Sequence, residues 1–201
     1  RAQTKSAVSY KNPVVDIAMP DPTVIKAADG YFYVYATEST RNVPIMKSKD
    51  LVEWTYCNTA FTNKTRPRFE PKAGIWAPDI NYINGKYVLY YAMSVWGGEQ
   101  TCGIGVATAN SPQGPFTDHG KMFRSNEIGV QNSIDPSFLQ YEGRNYLVWG
   151  SFRGIYVIEL TADGLSIMPG AKKKRIAGTA FEAVYILSLI HISEPTRRRG
   201  I

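Results

Sequence analysis

The chain has 201 residues, of which 44% are hydrophobic and 12% aromatic, enough apolar side chain to bury a substantial core. No apolar run approaches the roughly 20 residues of a membrane-spanning helix, and composition gives no sign of disorder. The net charge of +6 is concentrated in residues 172–175 and 197–199, and such short basic runs are typical of solvated turns. These features argue against a membrane protein and against nucleic acid as a partner.

One sequence pattern occurs three times along the chain. An acidic residue beside a proline precedes an apolar strand, a tight turn with glycine and an aromatic strand, starting at residues 20–22, 77–79 and 134–136. The prolines Pro22, Pro78 and Pro136 are 56 and 58 residues apart, which leaves room for about four short strands in each unit. A repeat of this size predicts the blades of a β-propeller.

The first repeat shows the predicted order of elements in detail. Residues 23–27 and 31–37 read as a hairpin around the turn at Gly30, because β-branched and aromatic residues flank it on both sides. A third strand is predicted at residues 43–47. Residues 48–54 are predicted to form a turn and a fourth strand, with Trp54 covering the outer edge of the blade.

The second and third repeats follow the same order. Their predicted strands are residues 80–83, 87–93, 103–108, 137–140, 145–151 and 154–160, with outer turns at 111–116 and 161–165. The continuous apolar strand 87–93 predicts a sheet that is covered on both faces, as stacked blades are. Residues 121–130 are interpreted as a connection without a strand pattern, and no helical period is sustained over three turns.

The predicted domain organisation has three parts. Residues 1–11 form an N-terminal extension, residues 12–186 a partial propeller, and residues 187–201 a tail. A fourth unit begins near Glu182, but the tail lacks the glycine turn and aromatic strand that three repeats would predict, and it is interpreted as foreign to the fold. Residues 1–3 are compatible with the remainder of a removed leader, so an extracellular or periplasmic location is expected.

The two cysteines, Cys57 and Cys102, are predicted to be free thiols, and their spacing does not match a metal site. The acidic residues that open the repeats are more informative. Each innermost strand of a propeller begins near the central axis, so Asp21, Asp135 and Glu182 are predicted to converge on one funnel. Like charges in a partly desolvated funnel push pKa values apart, which separates acid and base roles. Asp79 is assigned a structural role.

This set of motifs, in this order and spacing, resembles glycoside hydrolase family 43 over residues 12–186. The resemblance implies a five-bladed β-propeller, of which three blades and the start of a fourth are present. The segments 132–136 and 148–152 are most similar to the arabinanase and arabinofuranosidase branch of the family.

The resemblance also implies a reaction, the single-displacement hydrolysis of a glycosidic bond with inversion in arabinan or arabinoxylan-type carbohydrate. Asp21 would be the general base and Glu182 the general acid, while Asp135 positions the acid and raises its pKa. Sugar contacts are expected from the residues Trp76, Asn132, Ser151 and Phe152. No cofactor or metal is expected on this chain, although the family allows a structural ion at the propeller axis, in the part of the fold beyond it.

Three alternatives remain open from the sequence. The chain could belong to a β-xylosidase of the same family, to a non-catalytic carbohydrate-binding propeller or to a protein-interaction propeller. Replacement of Asp21 by Ala distinguishes a glycosidase from a carbohydrate-binding propeller, because a pure binding module has no hydrolysis to lose.

Overall fold

The computed structural model of the protein describes residues 9–186, and the predicted tail at 187–201 lies outside this range. Three antiparallel sheets of four strands account for nearly all of the regular structure. In the range described, the one helix is a single short turn, and no helix is long and apolar enough to cross a membrane.

Each sheet is a meander, in which strands consecutive in the chain are hydrogen-bonded neighbours. The first sheet contains β1 (Thr23–Lys26), β2 (Phe32–Tyr35), β3 (Pro44–Ser48) and β4 (Thr55–Thr59). The second contains β5 (Gly74–Ile83), β6 (Lys86–Ser94), β7 (Gly103–Ala109) and β8 (Thr117–Arg124). The helix α1 (Ser125–Ile128) follows, and the third sheet contains β9 (Ser137–Tyr141), β10 (Arg144–Trp149), β11 (Ile155–Leu160) and β12 (Lys174–Ala177).

The outer strands differ from the sequence predictions in three places, one of which is the basic run at 172–175, where Lys174 and Arg175 begin β12 instead of forming a turn. The fourth strand of the first sheet is β4 and not residues 48–54, because the Asp50 side chain accepts the amides of Val52 and Glu53 and so stabilises a turn there. Residues 121–130 are not a patternless connection, since they hold the end of β8 and all of α1.

The hydrophobic core lies between the sheets. Along β6, Leu89 and Tyr91 pack with residues of the first sheet, whereas Val88 and Tyr90 pack with residues of the third. Neighbouring side chains of a strand point to opposite faces, so both faces of the middle sheet are covered. The prediction from the continuous apolar run at 87–93 is confirmed.

Equivalent tyrosines connect successive sheets. Tyr35 on β2 donates its hydroxyl to the carbonyl of Pro112 in the outer turn of the second sheet. Tyr90, at the same position of the second repeat, donates to the carbonyl of Gly164 in the third sheet, at 2.8 Å. The same sequence position therefore makes the same contact with the next blade.

The inner strands are connected in an equally repetitive way. The side chain of the residue after the motif proline accepts a hydrogen bond from a backbone amide of the next inner strand. Thr23 Oγ1 accepts one from the amide of Ile80 at 3.3 Å, and Asp79 Oδ2 accepts one from the amide of Phe138 at 2.7 Å. Burial raises the pKa of Asp79 to about 6, although hydrogen bonds from Phe138, Asn81 and Thr23 oppose the shift. Asp79 thus joins the second and third sheets, as its structural assignment requires, and β1, β5 and β9 lie side by side.

Candidate active site

The start of each inner strand opens onto one cavity of about 910 Å³. The three sheets and the beginning of the fourth repeat all contribute to its wall. It contains every residue that the sequence nominated for catalysis or sugar contact: Asp21, Trp76, Asn132, Asp135, Ser151, Phe152 and Glu182. Residues more than 150 positions apart are therefore brought together by the packing of the sheets.

Asp21 is an exposed carboxylate two residues before β1. Its Oδ2 accepts a hydrogen bond of 2.6 Å from the hydroxyl of Thr37, which directly follows the β2 hairpin strand. An antiparallel hairpin places the beginning of its first strand beside the end of its second, so Thr37 is next to Asp21 for a topological reason.

Asp135 occupies the same position before β9 but is half-buried. Its Oδ2 accepts the backbone amide of Ala183 at 3.1 Å, which holds the chain immediately after Glu182. Burial raises the pKa of Asp135 to about 6, and the charges of Asp21 and Glu182 add to the rise against the opposing hydrogen bond from Ala183. The carboxyl groups of Asp21, Asp135 and Glu182 line the same cavity.

Glu182 belongs to the fourth repeat and lies exposed in the cavity wall. Ser151 donates its hydroxyl to Glu182 Oε2 at 3.3 Å. The backbone amide of Phe152 donates to the carbonyl of Phe181 at 2.8 Å, so the segment before Glu182 is attached to the loop after β10. The fourth repeat is therefore anchored to the third sheet on both sides of its carboxylate.

The backbone around the cavity is conformationally unusual. Among the non-glycine cavity residues, positive φ angles between 40° and 57° occur at Asp21, Ala77, Asn132, Asp135, Phe152 and Ala183. Asp and Asn tolerate this left-handed region, but it is unfavourable for Ala and Phe, at roughly 1–3 kcal/mol each. Such strained residues concentrate at functional sites.

The two polar residues nominated as sugar ligands also support the loops. Asn132 donates its side-chain amide to the carbonyl of Ser151 at 3.0 Å. Ser151 is only 1% exposed, and its hydroxyl points to Glu182. Both line the cavity, and both are engaged within the protein, so that Ser151 supports the carboxylate of Glu182.

Aromatic side chains form one part of the cavity wall. Trp76 packs against Trp96 with ring centroids 5.4 Å apart. Trp96 is 94% exposed and Phe152 is 46% exposed, both unusually high for large apolar side chains. The rings offer flat apolar surfaces beside the carboxylates.

The cavity is strongly acidic even though the chain is basic overall. Its carboxylates are Asp21, Glu38, Asp79, Glu99, Asp135 and Glu182, and none of the described residues that line it is Lys, Arg or His. Glu99 pairs with Arg153 at the rim. No group of three or more His, Cys, Asp or Glu between residues 9 and 186 is arranged to hold a metal ion.

Glu38 is buried next to Arg66, with side-chain exposures of 8% and 6%. Burial opposes ionisation of Glu38, but hydrogen bonds from Arg66, Asn42 and Ile75 outweigh it and keep its pKa below the ordinary value. The network joins the loop after β2 to the start of β5. It is a support beneath the cavity wall.

Sequence reasoning missed Thr37, Trp96 and Glu99 as cavity residues. The available signal was topological, because each lies in the loop between the second and third strands of its repeat, at the same end as the acidic motif. The contact between Arg66 and Glu38 had no such signal in the sequence, since the two residues are 28 positions apart.

The fold and the cavity define a partial β-propeller with a carboxylate-lined funnel, and the family can now be stated. The family model of Glycosyl hydrolases family 43 matches residues 10–189. The chain belongs to this family, and the predicted family and all-β partial propeller are confirmed.

The chain is similar to arabinanases and arabinan endo-1,5-alpha-L-arabinosidases. The extracellular endo-alpha-(1->5)-L-arabinanase 1 of Bacillus subtilis is 37% identical over 140 residues, covering 66% of this chain and 43% of that protein. The probable arabinan endo-1,5-alpha-L-arabinosidase C of Aspergillus niger is 33% identical over 151 residues, covering 73% and 46%. The chain thus spans about half the length of the curated relatives it matches.

Solved structures show the same relationship. The GH43 endo-arabinanase from Bacillus licheniformis superimposes with a TM-score of 0.72 at 29% identity, covering 85% of this chain and 61% of that one. The Cellvibrio cellulosa alpha-L-arabinanase complexed with arabinohexaose gives a TM-score of 0.70 at 28% identity, covering 81% and 54%.

Proposed function

We propose that the whole protein hydrolyses α-L-arabinofuranosyl bonds in arabinan, with inversion at the anomeric carbon. The observation that carries the proposal is the convergence of Asp21, Asp135 and Glu182 from three different repeats on one cavity. Family membership and the names of the relatives, which are arabinanases, favour arabinan as the substrate. The relatives named extracellular favour export of the protein.

In this proposal Asp21 is the general base. An inverting glycosidase needs an ionised carboxylate with space for a water molecule on the far side of the sugar, with the two carboxyl groups roughly 6.5–9.5 Å apart. Asp21 is exposed to the cavity, and its Oδ2 accepts a hydrogen bond from the hydroxyl of Thr37. Its carboxylate would remove a proton from water as the water attacks the anomeric carbon.

Glu182 is proposed as the general acid, which protonates the oxygen of the departing sugar. Asp135 is proposed to position it, since its carboxylate holds the amide of Ala183 directly after Glu182. The carboxylates of the site and the aromatic wall of Trp76, Trp96 and Phe152 then have separate tasks. The rings would stack on the apolar faces of arabinose units, and Asn132 and Ser151 would meet sugar hydroxyls.

The test is an assay of the whole protein, with any residues that flank this chain, on linear arabinan, an aryl arabinofuranoside and an aryl xyloside. We expect turnover of an arabinose substrate, with NMR showing the product first in the anomeric configuration opposite to the substrate. Products with retained configuration would disprove the inverting mechanism. Preferential cleavage of the xyloside would replace arabinan by xylan-type substrates, and sugar binding without turnover would indicate a binding module.

A further inference from the structure

Thr37 contacts the Asp21 unit at two points. Its backbone amide donates to the carbonyl of Pro20 at 2.9 Å, and its hydroxyl donates to Asp21 Oδ2 at 2.6 Å. The first contact fixes the backbone just before Asp21 and the second fixes the carboxylate itself. A single residue therefore sets both the position and the rotation of this side chain.

The direction of the hydroxyl is determined by a third contact. The backbone amide of Ala77 donates to Thr37 Oγ1 at 2.7 Å. A hydroxyl has one proton and two acceptor positions, so with the amide on an acceptor position the proton is directed to Asp21. The resulting chain of hydrogen bonds runs from Ala77 through Thr37 to Asp21.

A local irregularity of β5 aims the amide of Ala77. The pairing of β5 with β6 shifts register between Trp76 and Asp79, and Ala77 has a φ of 40°. Bulges of this kind redirect backbone and side chains next to active sites. The strained alanine thus has an assigned role, because it presents its N–H to the first sheet.

The residue after Thr37 holds this arrangement in place. The Glu38 amide donates to the carbonyl of Ile75 at 3.1 Å, and the Ile75 amide donates back to Glu38 Oε1 at 3.0 Å. Arg66 donates two hydrogen bonds to the same carboxylate, at 2.7 and 2.9 Å. Thr37 is therefore attached to the second sheet as firmly as to its own.

We propose that Thr37 is the positioning residue of the general base, an inference that rests on the proposed role of Asp21. By occupying Oδ2 it leaves Oδ1 as the oxygen that accepts the proton of the attacking water. Within residues 9–186, no other protein group hydrogen-bonds the Asp21 carboxylate. Thr37 touches neither the water nor the sugar in this scheme, and it acts only through Asp21.

The test compares Thr37→Val, which keeps the shape but removes the hydroxyl, with Thr37→Ser, which keeps it. For Thr37→Val we expect kcat to fall roughly 10- to 100-fold with KM within about twofold, since a charge-assisted hydrogen bond is lost. Thr37→Ser should stay within about threefold of the parent protein.

Thr59→Val is the matched control, because it removes another threonine hydroxyl, the one that donates to the carbonyl of Phe61 at 2.7 Å, and Thr59 does not line the cavity. It should lower the melting temperature and leave kcat within about threefold of the parent protein. If Thr37→Val fails to fold, Thr37→Ala supplies the same comparison without added bulk. The parent kcat in the folded Thr37→Val variant, or an equal loss of kcat in the Thr59→Val control, would overturn the positioning role.

The variant Asp21→Asn separates this inference from the proposed function. If Asp21→Asn is fully active, the proposed base is wrong and the role of Thr37 fails with it. If Asp21→Asn is inactive while Thr37→Val retains the parent kcat, the base stands and only the Thr37 inference is disproved.

Discussion

Asp21 and Asp135 have the same local setting and different chemistry. Both precede a proline, both lie two residues before an inner strand, and both have left-handed φ angles, 49° and 57°. Asp21 is exposed and receives a side-chain hydroxyl, whereas Asp135 is half-buried, receives a backbone amide and has its pKa raised to about 6. The repeat places the carboxyl group, and the neighbouring blades set its proton affinity.

The difference between Asp21 and Asp135 is tested most directly by removing the charge of Asp21. In Asp21→Asn we expect kcat to fall about 10³-fold, because positioned proton transfer is worth roughly 10²–10⁴-fold, while KM changes little. The measurement is release of reducing sugar from arabinan by the whole protein. Asp16→Asn is the matched control, since Asp16 is also exposed but does not line the cavity. Full activity of Asp21→Asn would end the assignment.

The raised pKa of Asp135 should make the stability of the folded protein depend on pH. This pKa rises from 3.8 to about 6 in the folded protein. From about pH 4 to 6 the folded state keeps a proton on Asp135 that the unfolded state has lost. The stability of the folded state therefore decreases over this range, and it stays lower above pH 6. Asp135→Asn should therefore melt at about the parent temperature near pH 4 and about 2–4 °C higher near pH 7.5.

This variant keeps a side-chain oxygen for the Ala183 amide, so the comparison isolates the charge. Its activity should nevertheless fall, because the carboxylate beside the proposed acid is gone. A melting-temperature difference that is the same near pH 4 and pH 7.5 would contradict the environment described for Asp135.

The smallest expected effect concerns the third carboxylate. Ser151→Ala removes the 3.3 Å hydrogen bond to Glu182 and should lower kcat about three- to tenfold. Ser133→Ala is a matched control, because Ser133 is equally buried and bonds Val130 and Trp149, not a carboxylate. Steady-state kinetics of both variants should separate support of Glu182 from loss of a buried serine.

Much of the fold and the site was predictable because the repeat encodes it. The inner hairpins of each unit, the two covered faces of β6 and the shared cavity all follow from the acidic-proline motif and the apolar strands. Outer strands were harder to predict. β8 alternates exposed and half-buried residues over most of its length and has no apolar run. Residues 48–54 form a turn that is stabilised by the side chain of Asp50, a contact that strand propensity does not predict.

The supports of the carboxylates were not predictable from local patterns. The contact of Thr37 with Ala77 spans 40 residues and that of Asp135 with Ala183 spans 48. Both depend on how one sheet meets the next, and a single sequence does not display such pairs. A topological rule, that loops after the second strand of each unit face the cavity, would have found Thr37 and Trp96.

Every proposed catalytic carboxylate is held by a contact that crosses a boundary between repeats, directly or through one intermediary. Formation of the individual sheets is therefore insufficient to create the reaction centre. During renaturation, β-structure can return before the blades have docked, and turnover can return only afterwards. A chain halted between these stages would contain all three carboxylates and be unable to cleave a bond.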